Sequence, residues 1–170
     1  MKTSVFLGAI LAAPMALAHI SVEPAAAAAG AYQKLTFRVG HGCNGSATNS
    51  ITVLLADALA GARPMPKAGW SITTVDAKLA APVMSHGAAM TSAVREVRWK
   101  GGPLPDAHYD EFSMQVKVPD VAGKLYFKVI QGCDKGRVDW SELPNAAGAK
   151  LKFPAPVLEV TPSASHAHQH

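Results

Sequence analysis

The chain reads as an all-β protein, a single-domain antiparallel β-sandwich of immunoglobulin/cupredoxin-like type. Three observations carry this reading. Short runs rich in β-branched and aromatic residues recur from residue 32 to residue 161, clusters of Gly and Pro separate them, and the clearest run alternates apolar with polar residues. That run is 32–39 (YQKLTFRV), with Leu35, Phe37 and Val39 on one face and Lys34, Thr36 and Arg38 on the other. A period of two is that of a strand with one face buried.

A short run over 19–23 precedes it, and if the two pair, His19 and His41 lie at the same end of the sandwich. Further strands are predicted at 51–55, 70–75, 94–100, 111–118, 124–130 and 157–161. The stretches Gly61 to Gly69, Gly101-Gly102-Pro103, Pro119-Asp120 and Asn145 to Gly148 read as turns. Ala25–Ala29 has helical propensity. With Pro24 before it and Gly30 after it, too few residues remain for a helix, and a loop is expected. From Gln131 a strand runs into a Gly-rich hairpin and returns through Asp139-Trp140.

Residues 1–18 read as a signal peptide: Lys2, the apolar run Val5 to Leu17, then Ala16-Leu17-Ala18 as a small-x-small cleavage site. Cleavage between Ala18 and His19 leaves a domain over 19–161 and a disordered His-rich tail over 162–170. A chain of about 150 residues is long enough to bury a substantial core. No second apolar stretch approaches the roughly 18 residues that span a bilayer, so a soluble periplasmic or secreted product with no membrane anchor is expected. Its two cysteines, Cys43 and Cys133, form a disulfide by default in an oxidising compartment. Such a bridge would be worth about 4 kcal/mol from chain entropy. A thiolate metal pair is the alternative, better suited to the cytosol. The net charge of +4 comes from scattered basic residues with no run and no aromatic interleaving, which speaks against nucleic acid as a partner.

Export gives His19 its interest. As the first residue it would offer an α-amine and an imidazole, two nitrogen donors within chelating distance of one ion. Groups of both kinds lose their protons readily near neutral pH. Paired nitrogen donors in a flat arrangement suit Cu(II) best among common divalent metals. His41, in the loop His41-Gly42-Cys43-Asn44-Gly45, is the candidate third nitrogen, and a Cys43–Cys133 bridge would tether its loop to the segment Asp134 to Trp140. Trp140 reads either as a core tryptophan or as a lid over a metal. Asp139 reads as a ligand, as an acceptor for an imidazole N–H, or as an exposed hairpin charge, the commonest fate of such a residue. The tail histidines His166, His168 and His170 suit auxiliary capture of Cu(II), Ni(II) or Zn(II).

Other constellations carry less. Met84-Ser85-His86 with Met90 could suit Cu(I), but methionine more often fills core gaps. His108 is expected in a turn before the strand 111–118, and Asp110 and Glu111 point to opposite faces of that strand's start. There is no Gly-x-Ser-x-Gly, no His-Glu-x-x-His and no phosphate-binding glycine loop.

Taken together, these pieces resemble the YcnI-like family of exported copper-binding proteins. The matching segments are Ala18-His19-Ile20-Ser21-Val22-Glu23-Pro24, Ala29-Gly30-Ala31-Tyr32, Leu35-Thr36-Phe37-Arg38-Val39, Pro64-Met65-Pro66-Lys67-Ala68-Gly69-Trp70, Asp110-Glu111-Phe112, Tyr126 to Cys133, and Asp139-Trp140-Ser141-Glu142. The resemblance implies a β-sandwich holding Cu(II) through a brace in which His19 supplies amine and imidazole, with Trp140 nearby. Members described in Gram-positive bacteria add a glutamate to the copper sphere and often a C-terminal membrane anchor. Here the corresponding strand end reads Gly40-His41-Gly42-Cys43, so His41 is the substitute, and the histidine tail stands in place of an anchor. The expected function is a periplasmic copper-binding protein in copper homeostasis or delivery rather than an enzyme, with the copper ion and a periplasmic copper chaperone or transporter as partners. The alternative is a copper-dependent oxidative enzyme using the same histidine.

Overall fold

The computed structural model describes residues 19–85, 87–146 and 148–163. The expected signal peptide over 1–18, His86 and the tail histidines His166, His168 and His170 lie outside the described residues. Twelve strands, and no helix among the described residues, form the domain. They are β1 (Ser21–Glu23), β2 (Ala26–Ala28), β3 (Tyr32–Val39), β4 (Thr48–Leu54), β5 (Ala60–Pro64), β6 (Trp70–Ser85), β7 (Ala88–Leu104), β8 (Asp110–Lys117), β9 (Gly123–Tyr126), β10 (Lys128–Cys133), β11 (Arg137–Trp140) and β12 (Val157–Thr161).

A four-stranded sheet in the order β1-β3-β8-β5 faces a five-stranded sheet in the order β11-β10-β4-β7-β6, and a small sheet β2-β12-β9 completes the fold. Alternation fills the space between the two large sheets. Leu35, Phe37 and Val39 of β3 and Phe112, Met114 and Val116 of β8 are fully buried, as are Ile51, Val53, Val97, Trp99 and Val129 from the other side. Aromatic edges interlock across the gap: Trp99 meets Phe112 with ring centroids 5.7 Å apart, and Phe37 meets Phe127 at 5.2 Å.

The β-sandwich is as expected, and β1 does pair with β3. Five features differ from the sequence expectation. Gly101-Gly102-Pro103, expected as a turn, is the end of β7, flanked by the pairs Trp70↔Gly101 and Thr48↔Leu104. Ala26–Ala28 is a strand, because β12 offers it a parallel ladder (Glu159↔Ala26, Val160↔Ala27). A ladder outweighs the helical preference of a segment too short to nucleate a helix. The Gly61 to Gly69 turn region contains β5, an edge strand on β8 where its Pro64 leaves no central ladder bond unmade. The 124–130 run is broken at Phe127, with β9 in the small sheet and β10 in the five-stranded one. The strands at 70–75 and 94–100 are the inner parts of a much longer hairpin, whose outer residues pair only with each other. Within that arm Val83 opposes Met90 and Met84 opposes Ala89, so Met84 and Met90 stand on opposite faces. The amide of His108 donates to the Pro105 carbonyl at 3.0 Å, the expected turn.

Candidate metal centre

The β1–β3 ladder ends at Ser21↔Arg38. Two residues further along each strand lie His19 and Gly40, with His41 next. The antiparallel register therefore delivers both histidines to one end of the sandwich. Behind them stands β11, paired to β10 through Val129↔Trp140. Trp140 is 2% exposed, and Phe153 packs edge-on against its ring at 5.6 Å. Glu142 keeps Phe153 there by accepting the backbone N–H groups of Lys152 and Phe153 at 2.7 and 3.0 Å.

Both histidines converge on this indole. The His19 ring centroid lies 5.8 Å from that of Trp140 at an interplanar angle of 62°, and the His41 centroid lies 6.2 Å away at 64°. His19 is exposed and His41 half-buried, so a small ion approaching from solvent meets the imidazoles first, with an apolar wall behind them. Trp140 is thus the core tryptophan of the first reading, and it borders both histidines.

The His41 segment is held at three successive residues. The His41 carbonyl accepts from Gln131 Nε2 at 2.7 Å, the Gly42 N–H donates to Asp106 Oδ1 at 2.9 Å, and Cys43 is bridged to Cys133 with the Cα atoms 6.0 Å apart. Gly42 must be glycine, since a Cβ there would lie 1.9 Å from the Ser46 carbonyl oxygen. The chain then reverses through Asn44 and Gly45, both at positive φ (49° and 83°), while Cys43 and Ser46 exchange backbone hydrogen bonds. An Asn-Gly pair of this kind builds a type I′ turn, a signal legible in the sequence.

Asp139 is set apart from this cluster. It adjoins Trp140 on β11, so alternation sends its side chain to the other face of the strand. There Oδ2 accepts from Arg137 Nη2 at 2.7 Å, while Oδ1 is buried without a hydrogen-bond partner. Glu23 pairs with Arg38 at 3.5 Å. Among the described residues no group of three or more His, Cys, Asp or Glu forms a metal cage. The donor set at Trp140 is therefore nitrogenous, two imidazoles, with a third nitrogen only in a chain whose first residue is His19. Such a set fits a nitrogen-seeking transition metal and not an oxygen-seeking cation. Both sulfurs are committed to the disulfide.

The model of one protein family, described as a domain of unknown function (DUF1775), matches residues 19–160. The chain belongs to the DUF1775 family. A solved structure of an uncharacterized protein from Nocardia farcinica, described as having an immunoglobulin-like fold, is 26% identical to this DUF1775 domain with a TM-score of 0.65. The match covers 84% of this chain and 97% of that one. No curated protein matches the chain. The family match opens at His19 and closes within β12, so it spans the sandwich and both histidines beside Trp140.

Proposed function

We propose that the chain is exported, cleaved between Ala18 and His19, and acts as a periplasmic Cu(II)-binding protein in copper homeostasis or delivery, with copper as its cargo. The observation that carries this reading is the convergence of the His19 and His41 rings on the single buried indole of Trp140. Once His19 is the first residue, its amine and imidazole form a brace and His41 adds a third nitrogen, a donor set that Cu(II) favours. The YcnI-like character of the motifs supports the same reading, as does the disulfide, which suits an oxidising compartment. In this scheme His166, His168 and His170 capture copper weakly for the brace, and a copper chaperone or transporter exchanges it.

The test uses the mature chain 19–170 with the three tail histidines changed to Ala, its first residue checked by mass spectrometry. Competitive Cu(II) titration and electron paramagnetic resonance should show one tight copper with nitrogen hyperfine structure. Adding a single Ala before His19 moves the amine away and should weaken binding more than the about 10–100-fold that loss of an outer partner costs. Unchanged affinity in the extended protein sinks the brace. Sustained peroxide-driven cleavage of a polysaccharide by the loaded protein would replace the carrier reading with an oxidative enzyme.

A further inference from the structure

Gln131 lies on the inward face of β10 and is fully buried, a polar side chain in a position otherwise filled by apolar ones. Its amide is nonetheless satisfied at both ends. Oε1 accepts the indole N–H of Trp140 at 3.0 Å, and Nε2 donates to the His41 carbonyl at 2.7 Å and to Thr48 Oγ1 at 2.8 Å. The partners fix the amide's orientation, since an indole can only donate and a carbonyl can only accept. Gln131 thereby joins the backbone of one candidate ligand to the indole that both histidine rings touch. Of the three ties on residues 41–43, only this one also reaches Trp140.

We infer that Gln131 is the positioning residue of this site: its buried amide holds the His41 segment and the Trp140 indole in one register. Its role in metal affinity rests on the copper reading above, whereas its geometric role does not. By taking the indole N–H, it also turns the single polar atom of Trp140 toward the amide, so the histidines meet ring carbon. Burial makes the arrangement stringent, because a buried donor or acceptor left without its partner is expensive, and the amide therefore stays where all three bonds can be made.

The inference is tested with Gln131→Met, which keeps the length and removes every bond, beside Thr48→Val, which removes one bond and leaves the His41 and Trp140 links intact. In metal-free protein, proton NMR should show contacts from both the His19 and the His41 rings to the Trp140 indole. Gln131→Met should lose the His41 contacts and keep those of His19, which the β1–β3 ladder holds independently. Cu(II) affinity should fall about 10–100-fold in Gln131→Met, the usual effect of losing an orienting partner, and less than about 3-fold in Thr48→Val. If Gln131→Met does not fold, Gln131→Asn is read in the same way, being too short to span both partners. In the wild type, slow solvent exchange of the Gln131 Nε2 protons and the Trp140 indole proton is also expected, and fast exchange overturns the inference. His41 contacts that survive in a folded variant, or unchanged affinity in a protein that binds copper, overturn it as well. If the wild type takes up no copper, the copper reading falls and the NMR contacts alone decide the positioning role.

Discussion

Replacing Cys43 and Cys133 together by Ala removes a crosslink between residues 90 apart in sequence. Opening a loop of that length restores conformational freedom to the unfolded chain worth roughly 4–5 kcal/mol at 25 °C. Both cysteines are buried, so the loss of two packed sulfurs acts in the same direction. Domains are stable by only about 5–15 kcal/mol in total, so the variant should remain folded with a much smaller margin. Several contacts between the two bridged loops survive the change. The Lys135 N–H donates to Ser46 Oγ at 2.9 Å, the Asp134 N–H to the Ala47 carbonyl at 3.0 Å, and Asn49 Nδ2 to Asp134 Oδ1 at 3.1 Å. The folded geometry should therefore persist and the loss should fall on global unfolding. Guanidinium denaturation of the two proteins measures it, with a steeper slope expected for the variant, whose unfolded chain is more open. In a thermal scan the midpoint should drop by roughly 8–20 °C. Wild-type protein held in reductant also lacks the crosslink but keeps both buried sulfurs, so it should lose most of the same stability and exceed the double variant only by the packing of the two thiols. A difference below about 1 kcal/mol between oxidised wild type and variant would refute the entropic argument.

Two further perturbations address the frame around the site. Arg95 donates to the carbonyls of Ala56, Leu59 and Asp57 at 2.7, 2.9 and 3.2 Å, clamping the loop after β4. Arg95→Ala should cost about 2–3 kcal/mol and speed amide exchange across residues 56–59, and undisturbed exchange there would show that the loop holds itself. Lys67 pairs with Asp110 at 2.6 Å and lies over the Phe112 ring at 5.1 Å. Lys67→Met keeps the apolar stem and should lose about 1 kcal/mol, a loss that shrinks in 1 M salt as the ion pair is screened; a salt-independent loss would assign the effect to packing.

Much of this architecture was legible residue by residue. Alternation at 32–39 identified β3 and its buried face, because one side of a strand must leave water while the other stays in it. The hairpin returning through Trp140 and the Cys43–Cys133 pairing were equally plain, the first from its glycines and the second from the count of two cysteines behind a segment that reads as an export signal. Pattern failed where burial does not decide structure. The outer arm of β6 and β7 carries little apolar alternation because it is held by its own ladder, and β2 and β5 exist because a neighbouring strand had a free edge. An edge is a property of the assembled sheet and leaves no mark on the segment that will fill it.

The same division runs through the site. His19 stood out by its place after the expected cleavage site and His41 as a further nitrogen donor, while Trp140 joined them only through the family resemblance, since a large aromatic is by itself a core residue. Their convergence depended on a register sum between β1 and β3, and on which strand lay at the sheet's edge behind them. Asp139, one residue from Trp140 in sequence, went to the opposite face because successive side chains on a strand alternate. Gln131 gave no sign, being one polar residue between Ile130 and Gly132 in a strand whose other polar residue, Lys128, is exposed. Its part emerged only when folding removed it from water and left its amide with the His41 carbonyl, the Thr48 hydroxyl and the Trp140 indole as partners.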